Sequence, residues 1–203
     1  MYVTSDSTSW PVHCVLTNCV FDGNYSLGRG GGLFANALSF YPMPVVNCTF
    51  VWNSGYDLVG RGAALYMPAA VVNSILWDNG WCENESSQLD ADSGAIWVTH
   101  SCIEGWTGVL DPGGPGNIDD NPLFVDADGV DDVPGNEDDN LRLGYLSPCV
   151  DTGENAAVPS DFTDLDLDGE LWERVPLDID LEPRFFQPPT AVIDMGAYEQ
   201  GGF

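Results

Sequence analysis

The chain is poor in positive charge. Its 203 residues include five Arg and no Lys against 32 acidic residues, so the formal net charge is −27. Such a chain is repelled by nucleic-acid phosphates and by anionic membrane surfaces. Long apolar runs are missing too, because the longest, residues 63–72, is broken by Pro68. We therefore expect neither nucleic-acid binding nor membrane insertion.

Metal-binding cysteine motifs are also missing. The six cysteines have no C-x-x-C spacing, and the first fifteen residues contain no Lys, no Arg and no apolar segment typical of a signal peptide. Six cysteines in an acidic, Lys-free chain favour an oxidising, extracellular or cell-surface location. Cys82 and Cys102 lie across one repeat and are the predicted disulfide.

The sequence does contain internal repeats. Four similar segments begin at Asn18, Asn47, Asn73 and His100, with offsets of 29, 26 and 27 residues. A second block, Gly-Arg-Gly followed by small residues, places Leu33 and Leu65 in equivalent positions, and Ile96 follows as the third copy. Each period holds short β-type segments separated by Gly, Asn and Pro turns, with no helical pattern of useful length.

These periods predict an all-β fold, a right-handed parallel β-helix (solenoid) over residues 1–110, in which each repeat adds one turn, or rung. A β-sandwich is the alternative. Strand alternation sends two columns inward and the column between them outward. The inward columns are Cys19/Cys48/Ser74/Ser101 and Phe21/Phe50/Leu76/Ile103, and the outward column is Val20/Thr49/Ile75/Cys102. Asn18, Asn47 and Asn73 are predicted to form an internal ladder, whose amides bond to each other and to the turn backbone along the stack.

The repeat also concerns the first residues, because Met1-Tyr2 aligns with Leu33-Phe34 at an offset of 32. The sequence then begins inside a rung, as the C-terminal piece of a longer solenoid would; a naturally short protein is the alternative. The expected partner of this end is either upstream rungs of the same protein or a second copy stacked head-to-tail.

The acidic residues concentrate in residues 111–203, which hold 23 of the 32. Asp164, Asp166 and Asp168 precede Gly169 as in the first half of an EF-hand loop, and this spacing suits Ca²⁺. Position 12 of such a loop is Val175, so Glu173 completes the site only if the loop is shorter. Asp126 and Asp128 form a weaker candidate site. The alternative for both clusters is a solvated acidic loop.

Several motifs in this half occur in a characteristic order: Asn121-Pro-Leu-Phe-Val-Asp126, Leu141-Arg-Leu, Ser147-Pro-Cys-Val-Asp-Thr-Gly153 and Val192-Ile-Asp-Met-Gly-Ala-Tyr-Glu199. With the Asn-Cys-Thr-Phe and Gly-Gly-Gly blocks, they resemble the C-terminal part of the bacterial β-helix surface proteins called choice-of-anchor Q, which are related to polymorphic outer-membrane-protein repeats. The resemblance implies a large secreted or surface-displayed protein in which residues 111–203 form an irregular, acidic region that caps the last rungs.

Catalysis is the alternative to this interpretation. A polysaccharide lyase needs a base, but the chain has no Lys, and Arg29 and Arg61 recur with the repeats as architectural residues do. A hydrolase needs paired carboxylates on one face, and no pair recurs on an outward strand column. His13 and His100 lack a nucleophile context, and both are interpreted as structural. Five tryptophans could stack on sugars, but packing is favoured for them: Trp52, Trp77, Trp81, Trp97 and Trp106.

The chain also contains sequons for N-glycosylation. Of three sequons, Asn47 falls in the expected buried ladder, so Asn24 and Asn84 are the candidate glycosylation sites, with no glycan at all as the alternative. The sequence thus predicts a non-enzymatic extracellular structural or surface protein that assembles head-to-tail into filaments if residues 1–203 are the mature protein. The alternative is a carbohydrate-binding or polysaccharide-degrading β-helix protein whose active rungs lie upstream, and glycans are then its partners.

Overall fold

The computed structural model describes residues 2–4, 15–36, 43–55, 62–66, 70–91, 96–110, 114–185 and 191–201. Within these ranges the chain is almost entirely strand, turn and loop, so the all-β prediction is confirmed. The helical exceptions are one turn of α-helix, α1 (Glu85–Gln88), and a 3₁₀ turn at Asn155–Ala157. None of the helices in the described ranges is long and apolar enough to span a membrane.

The strands are short and follow one another closely along the chain. Fourteen lie in the repeat region, residues 2–110: β1 (Tyr2–Thr4), β2 (Leu16–Thr17), β3 (Val20–Asp22), β4 (Tyr25–Ser26), β5 (Leu33–Asn36), β6 (Pro44–Val46), β7 (Thr49–Val51), β8 (Ser54–Gly55), β9 (Leu65–Tyr66), β10 (Ala70–Val72), β11 (Ile75–Trp77), β12 (Leu89–Asp90), β13 (Trp97–Thr99) and β14 (Cys102–Ile103). Two lie in the closing region, residues 111–203: β15 (Phe124–Asp126) and β16 (Asn140–Leu143).

Three four-stranded parallel sheets organise the repeat region. Their orders are β1-β5-β9-β12, β2-β6-β10-β13 and β3-β7-β11-β14, so each sheet gains one strand from each successive repeat. Phe21 pairs with Phe50, Phe50 with Leu76, and Leu76 with Ile103, which confirms the predicted alignment of the first block. Tyr2 pairs with Phe34, also as predicted, whereas Met1 lies outside the described residues.

The predicted third copy of the second block is wrong. Leu65 pairs with Leu89, not with Ile96, and Trp97 pairs with Ala70 in a different sheet. The backbone carbonyls of Ser86 and Ser87 accept hydrogen bonds from the repeat before them, so the segment that leads out of α1 takes the place predicted for 93–97. Trp97 is consequently 64% exposed and belongs to none of the core clusters of the described residues.

The inward columns form the main core, as predicted. Phe50, Leu76 and Ile103 are fully buried, and the rings of Phe21 and Phe50 stack with centroids 4.4 Å apart. Such stacking adds to the burial of apolar surface, which is the main favourable contribution to folding. Cys48 belongs to the same cluster, and Ser74 and Ser101 continue its column with each hydroxyl bonded to a backbone carbonyl of its own repeat.

Three members of the outward column, Thr49, Ile75 and Cys102, are buried too, because the closing region packs over them, whereas Val20 is half-buried. Ile75 and Cys102 form a second cluster with Leu143, Cys149 and Met195 from that region. Further hydrogen bonds join the two regions: the hydroxyl of Thr49 accepts one from Ala197 N, and the carbonyl of Asn73 accepts one from Gly196 N. The closing region therefore covers one side of the repeat region as well as its end.

A buried ion pair fixes this packing. The guanidinium of Arg184 is 3.3 Å from the carboxylate of Glu199 and donates to Asn18 Oδ1 and to the carbonyl of Ala197. Arg184 is 1% exposed, and burial raises the pKa of Glu199 to about 9 while neighbouring Asp194 adds repulsion. One buried arginine thus joins the first described turn of the repeats to the last segment of the chain.

Candidate functional site

The asparagines predicted as an internal ladder have another role, so that prediction is wrong. Asn18, Asn47 and Asn73 all have φ near +50°, a left-handed conformation that asparagine tolerates better than most residues. Their amides bond to the closing region instead of to one another. Asn18 Nδ2 donates to Leu177 O at 2.6 Å, and Asn73 Nδ2 donates to Glu154 O at 3.1 Å.

A ladder does exist, one strand further along each repeat. Asn24 Nδ2 donates to Asn53 Oδ1 at 2.9 Å, and Asn53 Nδ2 donates to Asn79 Oδ1 at 2.9 Å. Asn79 continues to Gln88 Oε1 at 2.8 Å, and Gln88 continues to Glu104 Oε2 at 2.7 Å. The three asparagines of this ladder have the same offsets, 29 and 26 residues, as Asn18, Asn47 and Asn73. The spacing therefore indicates a ladder, but it does not distinguish between these two sets of asparagines.

A groove of about 320 Å³ opens where this ladder reaches the surface. Trp52 and Trp81 supply apolar surface, and Asp78, Glu83 and Glu104 supply carboxylates. The indole N–H of Trp52 donates to Ala127 O at 3.2 Å, whereas Trp81 is 77% exposed. Large exposed aromatic surface next to a few polar groups is typical of ligand-binding sites.

The carboxylates of the groove perturb one another. Burial, followed by repulsion from Asp78, raises the pKa of Glu104 to about 7. Burial and the charge of Glu83 also raise the pKa of Asp78 above its usual range. Raised pKa values show that burial and mutual repulsion destabilise the ionised form of these carboxyls. Carboxyl clusters of this kind are more frequent at functional sites than elsewhere on a protein.

The predicted metal loop brings its carboxylates together. Oxygens of Asp164, Asp166 and Asp168 lie within 4.8 Å of one another, and a second group joins Asp166 and Glu173 to Asp161. These acidic clusters could hold a metal ion. Sequence analysis missed Asp161, which is buried and accepts a hydrogen bond from Leu165 N at 2.6 Å. Burial and repulsion from Asp168 and Asp166 raise the pKa of Glu173.

The weaker candidates, Asp126 and Asp128, are not brought into such a cluster by the part of the chain that the structure describes. Asp126 ends β15, which pairs antiparallel with β16. The loop between these strands is held instead by Asp138, which accepts a hydrogen bond from Val130 N, and by Asp139, which accepts one from Gly135 N. The carboxylates of Asp138 and Asp139 therefore stabilise the backbone of this loop by hydrogen bonding.

The predicted Cys82–Cys102 disulfide is not formed. Both thiols are free, Cys82 is exposed, and Cys102 is buried in contact with Cys149 of the closing region. Hydrogen bonding to Cys149 and burial raise the pKa of the Cys102 thiol. The two cysteines are separated because the chain turns through α1 and β12 between them.

The predicted glycosylation sites differ in availability. Asn24 is exposed, but its amide nitrogen donates to Asn53 and to Asp22 O, so a glycan on it would break the start of the ladder. Asn84 is exposed and caps α1, with Oδ1 accepting from Ser87 N at 3.0 Å. The structure thus leaves Asn84 as the more accessible of the two predicted sites.

The other residues that the sequence analysis interprets as structural occupy the following positions where the structure describes them. Arg29 donates to the hydroxyl of Tyr66 at 3.1 Å and lies 3.7 Å from Asp90 across neighbouring repeats, whereas Arg61 and His13 lie outside the described residues. Trp77 packs on the second cluster and Trp106 on the main core. His100 takes the left-handed turn position equivalent to the asparagines, with φ +46°.

Comparison of the chain with models of known protein families, with curated proteins and with solved structures finds no match.

Proposed function

We propose that this chain is part of a non-enzymatic, extracellular parallel β-helix protein that acts as a structural component of a cell surface or matrix. The observation that carries the proposal is the continuous stacking of repeats: each of three parallel sheets gains one strand per repeat. The polar ladder that begins at Asn24 is bonded from repeat to repeat in the same direction. Repeats whose side chains bond to the next repeat are suited to a rigid, elongated structural protein.

The resemblance to choice-of-anchor Q proteins supports the same proposal. In that interpretation the closing region, residues 111–203, terminates a bacterial β-helix. Labelling intact source cells with antibodies against this chain tests the location: we expect surface staining without permeabilisation. Recovery of the protein only from the soluble lysate would contradict the proposal.

Assembly is the second part of the proposal. Strands β1, β2 and β3 are the end members of their sheets, and no strand in the described ranges pairs with their outer edges. Unpaired edges of this kind favour pairing with another chain. We propose that upstream rungs or a second, head-to-tail copy cover this end.

Electron microscopy of the mature protein, combined with N-terminal sequencing, tests the assembly. Filaments built from a protein that begins at Met1, or monomers with additional upstream rungs, are the expected results. A dispersed monomer that begins at Met1 would contradict both.

Calcium is the proposed ion of the acidic loop. The cluster of Asp164, Asp166 and Asp168 offers only oxygen ligands, which suits Ca²⁺, and a divalent ion would relieve repulsion in a strongly acidic region. We expect Ca²⁺ to raise the melting temperature by several degrees relative to chelator. Asp166→Asn should abolish this shift, since Asp166 belongs to both carboxylate groups, and Asp126→Asn serves as the matched control. Equal melting temperatures with calcium and with chelator would contradict the proposal.

A carbohydrate-binding or polysaccharide-degrading protein is the alternative, and the groove at Trp52 and Trp81 favours it. Glu104, with a pKa near 7, has the protonation behaviour of a general acid. Release of reducing ends from any polysaccharide by the purified chain, lost in Glu104→Gln, would establish the alternative and overturn the non-enzymatic proposal.

A further inference from the structure

The groove lined by Trp52, Trp81, Asp78, Glu83 and Glu104 concentrates negative charge without a compensating arginine. The ion pairs in the described parts of the chain involve Arg29, Arg142 and Arg184, and none of them includes a groove carboxylate. Asp119 adds to the repulsion that Asp78 and Glu83 exert on Glu104. The site therefore attracts a cation that the described chain does not itself provide.

Glu104 is the best-defined group in the groove. It is only 7% exposed, and its Oε2 atom is held by Gln88 Nε2 at 2.7 Å and by Asp78 N at 3.1 Å. Its Oε1 atom accepts no hydrogen bond from the described residues, although the residue lines the groove. A carboxylate that is oriented by two donors and retains one unused oxygen is preorganised for a ligand.

The aromatic residues restrict the kind of cation. Trp52 is anchored through its indole N–H, and Trp81 leaves most of its surface in water. Indole faces attract organic ammonium groups through cation–π interaction and bury their carbon atoms, whereas a strongly hydrated metal ion prefers oxygen ligands. The carboxylate groups that converge closely enough for a metal ion lie in another part of the described chain, around Asp161 to Glu173.

We propose that this groove binds an organic ammonium ion, with the charged nitrogen against Glu104 and Asp78 and the adjoining carbon atoms against Trp81 and Trp52. The volume of about 320 Å³ accommodates one quaternary ammonium group or one amino-sugar ring. Anionic ligands are repelled by the same carboxylates. This site would give the chain a recognition function in addition to its structural one.

Choline is the first probe, because its charge does not change with pH, and its neutral isostere 3,3-dimethyl-1-butanol is the matched ligand control. Titration calorimetry of the whole chain should show choline binding at least tenfold more tightly than the isostere. Glucosamine, compared with N-acetylglucosamine, separates an amino-sugar ligand from a quaternary ammonium ligand. If neither cation binds more tightly than its neutral counterpart, the proposal is wrong.

Two variants locate the site. Glu104→Gln removes the central charge, and Trp81→Ala removes an exposed ring, so each should weaken binding at least tenfold. Trp172→Ala is the matched control, since Trp172 is 82% exposed in the closing region and should not affect binding. Circular dichroism confirms that each variant is folded, and Asp78→Asn replaces Glu104→Gln if the latter does not fold.

The pH dependence gives an independent readout. The charges that act on Glu104 come from Asp78, Glu83 and Asp119, all carboxylates, and the thiol of Cys82 also lines the groove, so raising the pH through about 7 increases the negative charge of the groove. Choline affinity should therefore increase from pH 5.5 to pH 8, and this increase should be smaller in Glu104→Gln. Binding that is unaffected by pH, by Glu104→Gln and by Trp81→Ala would overturn the proposal.

Discussion

The backbone N–H and C=O groups have different hydrogen-bond partners in the repeat region and in the closing region. In the repeat region each strand bonds to its counterpart in the next repeat, and similar residues stack, as Phe21 does on Phe50. In the closing region single carboxylates hold the backbone. Asp178 accepts hydrogen bonds from Asp180 N, Glu182 N and Glu199 N.

This difference explains why the charge is uneven. A repeated column disfavours ionised carboxylates, because like charges on neighbouring strands repel one another. Loops can use them, since a carboxylate can accept two or more backbone N–H groups and thereby replace the missing strand partner. The acidic composition of residues 111–203 therefore has a structural role in addition to any metal binding.

The largest expected difference between the regions comes from aromatic truncation. Phe50→Ala removes a fully buried ring from the centre of the stack and should reduce the free energy of unfolding by about 3–5 kcal/mol. Phe162→Ala removes a ring that is 66% exposed and that contacts the ring of Trp172 in the described part of the chain, so its effect should be under about 1 kcal/mol. Urea unfolding measures the free energy of unfolding of both variants. Equal losses of stability would contradict the expected difference between the two regions.

The junction between the regions should be nearly as sensitive. Arg184→Met leaves Glu199, Asp194 and Asp178 without their buried counter-charge, and breaking such a pair costs about 3–5 kcal/mol. Arg142→Met is the matched control, because the Arg142–Asp180 pair is exposed and should contribute about 1 kcal/mol or less.

Limited proteolysis provides a second readout for this junction. We expect early cleavage within 111–203 in Arg184→Met and not in Arg142→Met. Unchanged stability of Arg184→Met would show that the closing region is held without the ion pair.

A smaller effect concerns the pH. Burial and the facing Asp139 raise the pKa of Asp22 to about 7, which joins β3 to the acidic loop of the closing region. Because this pKa lies above its value in the unfolded chain, the native state binds more protons, and stability decreases as the pH rises from about 4 to about 7. Asp22→Asn removes this repulsion, so it should stabilise the protein at pH 8 and have less effect at pH 4.5.

Urea midpoints of Asp22→Asn at the two pH values give the test, with Asp126→Asn as a control on an exposed carboxylate. The wild-type chain should also lose stability as the pH rises, up to about 6 through Asp194 and up to about 9 through Glu199, because burial raises the pKa of these carboxyls to those values. A Asp22→Asn variant that gains equally at both pH values would contradict the assigned cause.

The sequence by itself determined the all-β class, the alignment of the Asn18, Asn47, Asn73 and His100 segments, and the convergence of Asp164, Asp166 and Asp168. These features follow from spacing, because residues at equal offsets in a parallel stack must lie beside one another. Local spacing also sufficed for the acidic loop, where alternate carboxylates before Gly169 turn toward one point.

Only the tertiary structure decided the remaining features. The third repeat is short, so Leu89 displaces Ile96 from the predicted register. Most of the outward column is buried because a distant segment covers it, and the turn asparagines bond to that segment instead of to each other. The groove joins Trp52, Trp81 and Glu104 from three repeats. No spacing rule identifies which loop will pack on which face, since that choice depends on the free energy of contacts between residues far apart in the chain.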